Sequence, residues 1–291
     1  VVAAWHLLQR WCVVGVLHRP VVLHGRVTYV MGAFPHVAKG NLIKGMEEMW
    51  FEADLVRWVE SIMEERRVIM SMDGKEGDTM DVEPGVPQGS PVSPVLFVIY
   101  LSVLFGQFED KEEESGSEGI SCFDDVAWVV EGEDVGECTQ RLERCPAETT
   151  IWAKKNACQF DVEKTEAMLC TRRSKNKVPK MNAQVRVGIH EVPYNKEATR
   201  WLGVWLDDIL TLNDHTKKTL AKARKAQNRV RSLMTKKGLS SEGCKRIQVA
   251  AVQAVELYGS ELWWHGQENR AQEVQKLLNE QGRRVTGCFR I

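Results

Sequence analysis

No acidic residue stands among the first 46 positions of this 291-residue chain; Glu47 is the first. A carboxylate-built site that needs a ligand from that stretch is thereby excluded. The eight cysteines (Cys12, Cys122, Cys138, Cys145, Cys158, Cys170, Cys244 and Cys288) include no C-x-x-C pair and no histidine at zinc spacing. That sets aside a zinc module and reads as reduced, packed thiols in an intracellular chain. Uninterrupted apolar runs of membrane-spanning length are missing too. The most apolar N-terminal stretch, VVAAWHLLQRWCVVGVLHRPVVLHG, is broken by His6, Gln9, Arg10, His18, Arg19 and Pro20 and lacks a signal peptide's layout, so no membrane partner is expected. Internal repeats and long disordered tracts are also absent. Val1 stands where an initiator methionine would, and the chain reads as a fragment.

What is there is a 43% hydrophobic composition, enough to bury the core of one large or two moderate domains. The formal net charge of −1 hides a split: residues 1–150 carry −14 and residues 151–291 carry +13. Such polarity fits an acidic body joined to a basic arm suited to a polyanion. Between His215 and Arg246 lie eleven Lys or Arg and one acid, Glu242. Leu220, Ala223, Val230 and Leu233 recur there at helical spacing, so one stripe packs inward. Lys217, Lys218, Lys222, Arg224, Lys225 and Arg229 cover the remainder, either as a solvated face or as one that tracks a phosphate backbone without reading bases.

Along the chain, RVTYVM (26–31) reads as a short buried strand and GNLIKGMEEMWFEADLVRWVESIMEERR as helical, with periodic Leu42, Ile43, Met46, Leu55, Trp58 and Val59. VIMSMDGKEGDTMDVEPG predicts a hairpin turning at Asp73 and Gly74. GVPQGSPVSPVLF opens a helix, with Ser93 as N-cap and Pro94 at the first helical position. EDKEEESGSEG (109–119) reads as a polar acidic loop. Residues 135–157 read as a helix that Pro146 should kink or split, at about 3 kcal/mol. EAMLC, QVRVGI and TRWLGVWL are strand-like, and the last 75 or so residues are helical in pattern, with YGSELWW ending one helix.

One stretch, ISCFDDVAWVVEG (120–132), sets Asp124 and Asp125 between two short strands, a hairpin with carboxylates at its tip. Taken alone the pair is a turn or a metal site, since Asp favours both. About thirty residues upstream lies GVPQGSPVSPVLF, a Pro- and Gly-rich loop feeding an apolar helix. Together these resemble the reverse transcriptases of non-LTR, LINE-like retrotransposons, of the fungal type. Gly85–Phe97 resembles motif B, Ser121–Asp125 motif C, and Gly32, Ala33 and Phe34 fall in motif A. FDVEKTEAML (160–169) looks like motif D, TRWLGVWLDD like the primer-grip segment, and VELYGSELWWHGQ and LLNEQGRRVTGCFR like the thumb.

The resemblance implies an α/β (α+β) right-hand polymerase palm with an antiparallel sheet, followed by a helical thumb, the fingers largely missing. It divides the chain into 1–25 as a remnant of the fingers and palm entry, 26–206 as palm, and 207–291 as basic thumb. It implies an RNA-directed DNA polymerase extending a DNA primer on an RNA template from deoxynucleoside triphosphates, with Mg2+ or Mn2+. Asp124 and Asp125 would be metal ligands and Lys164 a proton donor to the departing pyrophosphate, where an ordinary surface lysine is the plain alternative. Phe34 would be the gate that excludes a ribose 2′ hydroxyl, or plain core. Gln88, Gly89 and Ser90 would lie along nucleotide and template, and Trp201, Leu202 and Gly203 would form the primer grip. Nuclear residence is what the family would lead one to expect.

Motif A departs from the family: its aspartate position is Tyr29, and Pro35 follows the gate where a second aspartate is usual. A neutral phenol does not replace a carboxylate on a hard cation. Loss of about 4 kcal/mol of transition-state stabilisation slows a reaction roughly a thousandfold. Cys122 also replaces the motif C aromatic. The expectation is therefore a degenerate, truncated polymerase with impaired catalysis; the alternative is a non-catalytic nucleic-acid-binding or scaffold module that keeps the fold.

Overall fold

The computed structural model describes residues 21–27, 34–64, 66–81, 85–109, 117–122, 125–156, 158, 160–170, 184–195, 198–236 and 239–286. They fall into two compact units, one of residues 21–195 and one of residues 198–286. No helix among the described residues is long and apolar enough to cross a membrane.

The first unit is built on a six-stranded sheet. Its strands are β1 (Val21–Val27), β4 (Ser117–Cys122), β5 (Asp125–Glu131), β6 (Ala167–Cys170), β7 (Gln184–Val187) and β8 (His190–Asn195), in the order β4-β5-β1-β6-β8-β7. All pairs are antiparallel except β6 with β8. β1 is central: Val22 lies opposite both Val130 of β5 and Leu169 of β6. Of the strand expected at 26–31, Arg26 and Val27 belong to β1, whose Val21, Val22 and Leu23 form an apolar run that pairs on both sides; residues 28–33 lie outside the described part.

Two further corrections concern the sheet. Ser117, Glu118 and Gly119, expected in the acidic loop, belong to β4, because Gly119 is the residue that fits beneath Trp128 on the paired strand. A Cβ there would stand 2.4 Å from the Trp128 ring and 2.8 Å from that of Phe105. QVRVGI is no continuous strand: Gly188 (φ 64) and Ile189 turn the chain into β8, which went unforeseen.

Helices cover the sheet. The expected helical stretch at 40–67 splits into α1 (Lys39–Glu48) and α2 (Ala53–Ile62), broken where Trp50 takes a left-handed φ of 60. Leu42, Met46 and Val59 face inward as the periodicity predicts, but Val56 takes the inward place while Leu55 and Trp58 stay 40% and 47% exposed. The predicted hairpin forms as β2 (Arg67–Met72) and β3 (Lys75–Asp81), with Asp73 (φ 52) and Gly74 (φ 75) in the left-handed pair that a two-residue turn needs. Next, α3 (Ser93–Glu109) is apolar on every side; Leu96, Phe97, Tyr100, Leu101 and Leu104 are buried and it packs on α1 and β4.

Helix α4 (Val135–Lys155) runs unbroken through Pro146. Burial of Cys138, Leu142, Cys145, Thr149 and Trp152 along one face outweighs the cost of the missing amide. Asp134 caps its start by accepting the Glu137 N–H at 2.8 Å. Tyr100 ties these helices together: its hydroxyl donates to the Asn156 carbonyl at 2.5 Å, and burial pushes its pKa up to about 12.

In the second unit, β9 (Thr199–Trp201) and β10 (Val204–Leu206) form a hairpin turning at Leu202 (φ 46) and Gly203 (φ 80). The helices are α5 (Asn213–Lys236), α6 (Ser241–Gln248), α7 (Ser260–Trp263) and α8 (Glu268–Thr286); α6 runs on through a π turn, Val249–Gln253. YGSELWW does end a helix, the short α7, but Tyr258 and Gly259 (φ 68) form a turn before it, because the left-handed glycine redirects the chain and cuts α7 off from the preceding helix. Leu220, Ala223, Val230, Val252 and Leu277 make the core.

Replacing fully buried Trp128 by Ala should destabilise the chain by about 3–5 kcal/mol, whereas Trp50→Ala, at 93% exposure, should shift stability by under about 0.5 kcal/mol. Urea unfolding followed by circular dichroism measures both.

Candidate active site and basic face

In the first unit the site begins with a backbone contact. Gly85 is buried with φ 111, and a Cβ there would meet the carbonyl oxygens of Phe34 and Pro35 at 2.4 Å each. Only glycine allows that approach. Val86 N–H donates to the Phe34 carbonyl at 2.9 Å, and the Arg66 guanidinium donates to the Gly85 carbonyl at 2.5 Å. The Phe34 ring, half-buried, meets Phe97 of α3 edge-on, centroids 5.6 Å apart. Phe34 and the loop before α3 are therefore one assembly, held through both backbone and ring.

Beyond Gly85 the loop comes to the surface. Gln88 and Gly89 (φ 87) are exposed and Ser90 is half-buried, its Oγ accepting the Val92 N–H at 3.4 Å. Ser93 does not cap α3 with its side chain as expected. Its hydroxyl is turned back to donate to the Pro87 carbonyl at 2.5 Å, and the first helical carbonyl is that of Val92, which accepts from Leu96 N–H at 3.0 Å. The loop is thus fastened at both ends with its middle free.

Asp125 opens β5, opposite Cys122, and is half-buried, so it sits in the strand rather than in the turn itself. Asp124 and Tyr29 lie outside the described residues. Val27, the last residue of β1, is opposite Val126, which brings the end of β1 beside the β4–β5 turn. Lys164 is exposed on a short 3-10 turn (Val162–Lys164), where its ammonium meets the Asp161 carboxylate at 2.6 Å. That bond holds Asp161 below its usual range. No group of three or more His, Cys, Asp or Glu poised for a metal occurs among the described residues. The thiols of Cys138, Cys145 and Cys158, pushed by burial up to about 11, are inert packing groups.

In the second unit, Lys217, Lys222, Arg224, Lys225 and Arg229 are exposed along α5, opposite a buried stripe of Thr216, Thr219, Leu220, Ala223, Gln227 and Val230. The side chain of Leu233 lies outside the described part. Lys218 differs from its neighbours: its Nζ stands 3.3 Å from the centre of the Trp205 ring. Of the expected primer-grip residues, Trp201 is buried at 2% exposure, while Leu202 and Gly203 form the hairpin turn.

Two residues that the sequence reading left out organise this region. His215 is fully buried; its Nδ1 accepts the Trp205 N–H at 3.3 Å and its Nε2–H donates to the Tyr258 carbonyl at 2.9 Å, which selects one neutral tautomer. Tyr258 Oη donates to the Leu202 carbonyl at 2.7 Å. Burial lowers the His215 pKa, and Lys222 lowers it further against the raising effect of the Tyr258 carbonyl. The only signal in the sequence was that His215 is in register with the buried stripe four residues before Thr219.

A family model described as reverse transcriptase (RNA-dependent DNA polymerase) matches residues 30–206. The RNA-directed DNA polymerase from mobile element jockey of Drosophila melanogaster is 23% identical over 261 residues, 89% of this chain and 28% of that protein. The one ascribed to transposon BS of the same fly is 23% identical over 258 residues, 88% of this chain and 28% of its own length. The chain thus spans little more than a quarter of either relative. Apo telomerase from Candida tropicalis is similar in structure with a TM-score of 0.53 at 9% identity, over 98% of this chain and 45% of that one. Telomerase from Candida albicans in complex with a TWJ fragment of telomeric RNA gives 0.50 at 9% identity, over 96% and 50%. At such identities the likeness is one of fold.

Gly85→Ala should free the loop from Phe34 and destabilise the first unit by about 1–3 kcal/mol, readable as a lower urea midpoint. Above about pH 6.5, the ordinary imidazole value, His215 is neutral in both folded and unfolded states and its contribution is whole. As pH falls through 6.5 towards the lower folded value, the unfolded chain takes up the proton first and stability is lost. Glu256, raised by burial, has the opposite slope, so the quantity to follow is the urea midpoint of the unaltered chain minus that of His215→Gln, from pH 8 to 5. It should shrink.

Proposed function

Because the chain belongs to the reverse transcriptase (RNA-dependent DNA polymerase) family, we propose that it is the palm and thumb of a LINE-like retrotransposon polymerase, of the fungal type that its sequence resembles, and that it grips an RNA template with a DNA primer while nucleotidyl transfer is impaired. In this reading the palm runs over 26–206 and the thumb over 207–291, bounds that differ from the two compact units in leaving out the start of β1 at Val21 and in counting the β9–β10 hairpin with the palm. The observation that carries the reading is the packing of Phe34 onto Gly85 and Phe97. It sets an aromatic beside an exposed backbone turn, an arrangement suited to enclosing the sugar of an incoming deoxynucleoside triphosphate along Gln88, Gly89 and Ser90. In the second unit, the exposed cations of α5 suit a phosphate backbone.

Mg2+ or Mn2+ would supply charge neutralisation at the triphosphate. Asp124 and Asp125 are the carboxylates available at motif C, and Tyr29 stands where motif A would add another, so the donor set is one short of the family's pattern. A phenol stays neutral near pH 7 and leaves the two aspartates to repel one another with less cation to offset it. The same substitution supports the second reading, a binding module without chemistry. Lys164, paired with Asp161, would be the proton donor to the departing pyrophosphate in this reading.

Primer extension on an RNA template, with Mg2+ or Mn2+, tests the reading. The unaltered chain should be about a thousandfold slower than Tyr29→Asp, and Asp124→Asn should be silent. Robust extension by the unaltered chain that Asp124→Asn abolishes would overturn the impairment. Silence from all three, with binding that weakens as salt rises, would select the binding module.

A further inference from the structure

The buried positions of α6 and of the helix that continues it recur in steps of four: Cys244, Gln248, Val252 and Glu256. In a regular helix each such step drifts by about 40° around the axis. The π turn Val249–Gln253 absorbs that drift, because its hydrogen bonds span one residue more, and the helical residues Ala254–Glu256 beyond it turn a carboxylate into the core instead of towards solvent. Val252, one turn earlier, shares a core with Leu220, Ala223 and Val230 of α5 and with Leu277 of α8. Glu256 is 0% exposed, and Gln281, one turn beyond Leu277, is 2% exposed.

These two side chains meet. Gln281 Nε2–H donates to Glu256 Oε2 at 2.6 Å, while Glu256 Oε1 and Gln281 Oε1, both buried, have no hydrogen-bond partner among the described residues. In an ionised pair both of those oxygens are acceptors, and two acceptors cannot bond. One proton on Glu256 Oε1 makes it a donor, so that carboxyl and carboxamide close a ring of two antiparallel hydrogen bonds. A carboxylate buried with a single neutral partner is costly, and such a group neutralises instead. The surrounding elements supply no counter-charge. On α8, Arg284 commits its Nη1 to the Gln227 carbonyl of α5 at 3.4 Å, and Glu280 is exposed. Helix α5 turns Gln227 inward and leaves Lys222, Lys225 and Arg229 exposed; α6 contributes the buried thiol of Cys244 and exposes Lys245 and Arg246. Burial raises the Glu256 carboxyl, and the bond from Gln281 offsets this only in part.

We propose that a proton on Glu256 Oε1, donated to Gln281 Oε1, latches α8 to the helix that leaves the π turn, and that its departure to solvent releases α8. The device lies within the second unit and stands apart from the polymerase reading. Deprotonation leaves a carboxylate facing the Gln281 oxygen, so attraction becomes repulsion where α8 is fastened. Arg284 is one turn on from Gln281, and the hold of α8 on α5 loosens with it. Below the ordinary glutamate value of 4.5, folded and unfolded chains both keep the proton and the latch contributes in full. As pH rises from there towards the raised folded value, the unfolded chain gives up the proton first and that contribution is lost.

Urea unfolding of the full chain and of its Glu256→Gln variant, from pH 4 to 9, tests the latch, since a glutamine there makes both bonds to Gln281 and never ionises. Groups common to the two chains, His215 among them, cancel in the difference. The variant's advantage in unfolding constant should be smallest at the acid end, grow by up to about tenfold per pH unit as Glu256 ionises in the unfolded chain, and level off once it ionises in the folded one. At the alkaline end the amides of α8 should exchange hydrogen faster in the unaltered chain than in the variant. A stability difference that does not change with pH would overturn the shared proton, and equal exchange in α8 would overturn the release. Loss of the helical signal in Glu256→Gln would mean that the charge itself is needed, which overturns both.

Discussion

The contact between the Gly85 backbone and the carbonyl oxygens of Phe34 and Pro35 is the constraint on which the first unit's site depends. It joins a segment that follows the central strand to the loop that precedes the apolar helix α3. Phe34 then has its carbonyl committed to Val86 and its ring committed to Phe97, so the aromatic cannot move without the loop. The loop is in turn fastened by Arg66 and by Ser93, which leaves Gln88 and Gly89 as its free part. A side chain at position 85 would separate two elements that must touch for either to be placed.

The second unit is organised by polar groups where the first relies on apolar ones. His215 sits inside with both ring nitrogens used, and Asp207 accepts from Thr211 and Asn213, shaping the entry to α5. Arg270 reaches the carbonyls of Trp263 and Thr211, tying the end of α7 to that same entry. Glu256 and Gln281 share a buried bond of 2.6 Å, and burial holds the carboxyl above its ordinary pKa. Buried polar pairs contribute little net stability, but they penalise any other alignment of the helices. That is the property a surface needs if its cations are to keep a fixed spacing.

The palm and thumb architecture and the proposed loss of a metal ligand belong to different levels of description. Strand pairing at a sheet centre is a matter of backbone hydrogen bonds and apolar burial, which many side chains satisfy. A cation's ligand set is counted in charges and oxygen atoms. In the proposed reading, loss of one carboxylate is therefore compatible with retention of the fold.

Much of this was legible in the residues. The Asp73–Gly74 turn, the opening of an apolar helix near Ser93, the two strands around the aspartates and the basic helix with its inward stripe all follow from local rules of period, turn chemistry and charge, and those rules act within a few residues. What local rules could not decide was any choice made by a partner distant in sequence. Gly119 is a strand residue because Trp128 needs the space above it, and α4 runs through Pro146 because a buried face holds it there. Likewise Trp201 and Trp205 look alike in TRWLGVWL, but pairing register and a histidine ten residues on send one into the core and the other to the surface under a lysine. Composition alone determined that the chain has a basic half and no acid before Glu47; only the tertiary structure decided which of its cations are held, and by what.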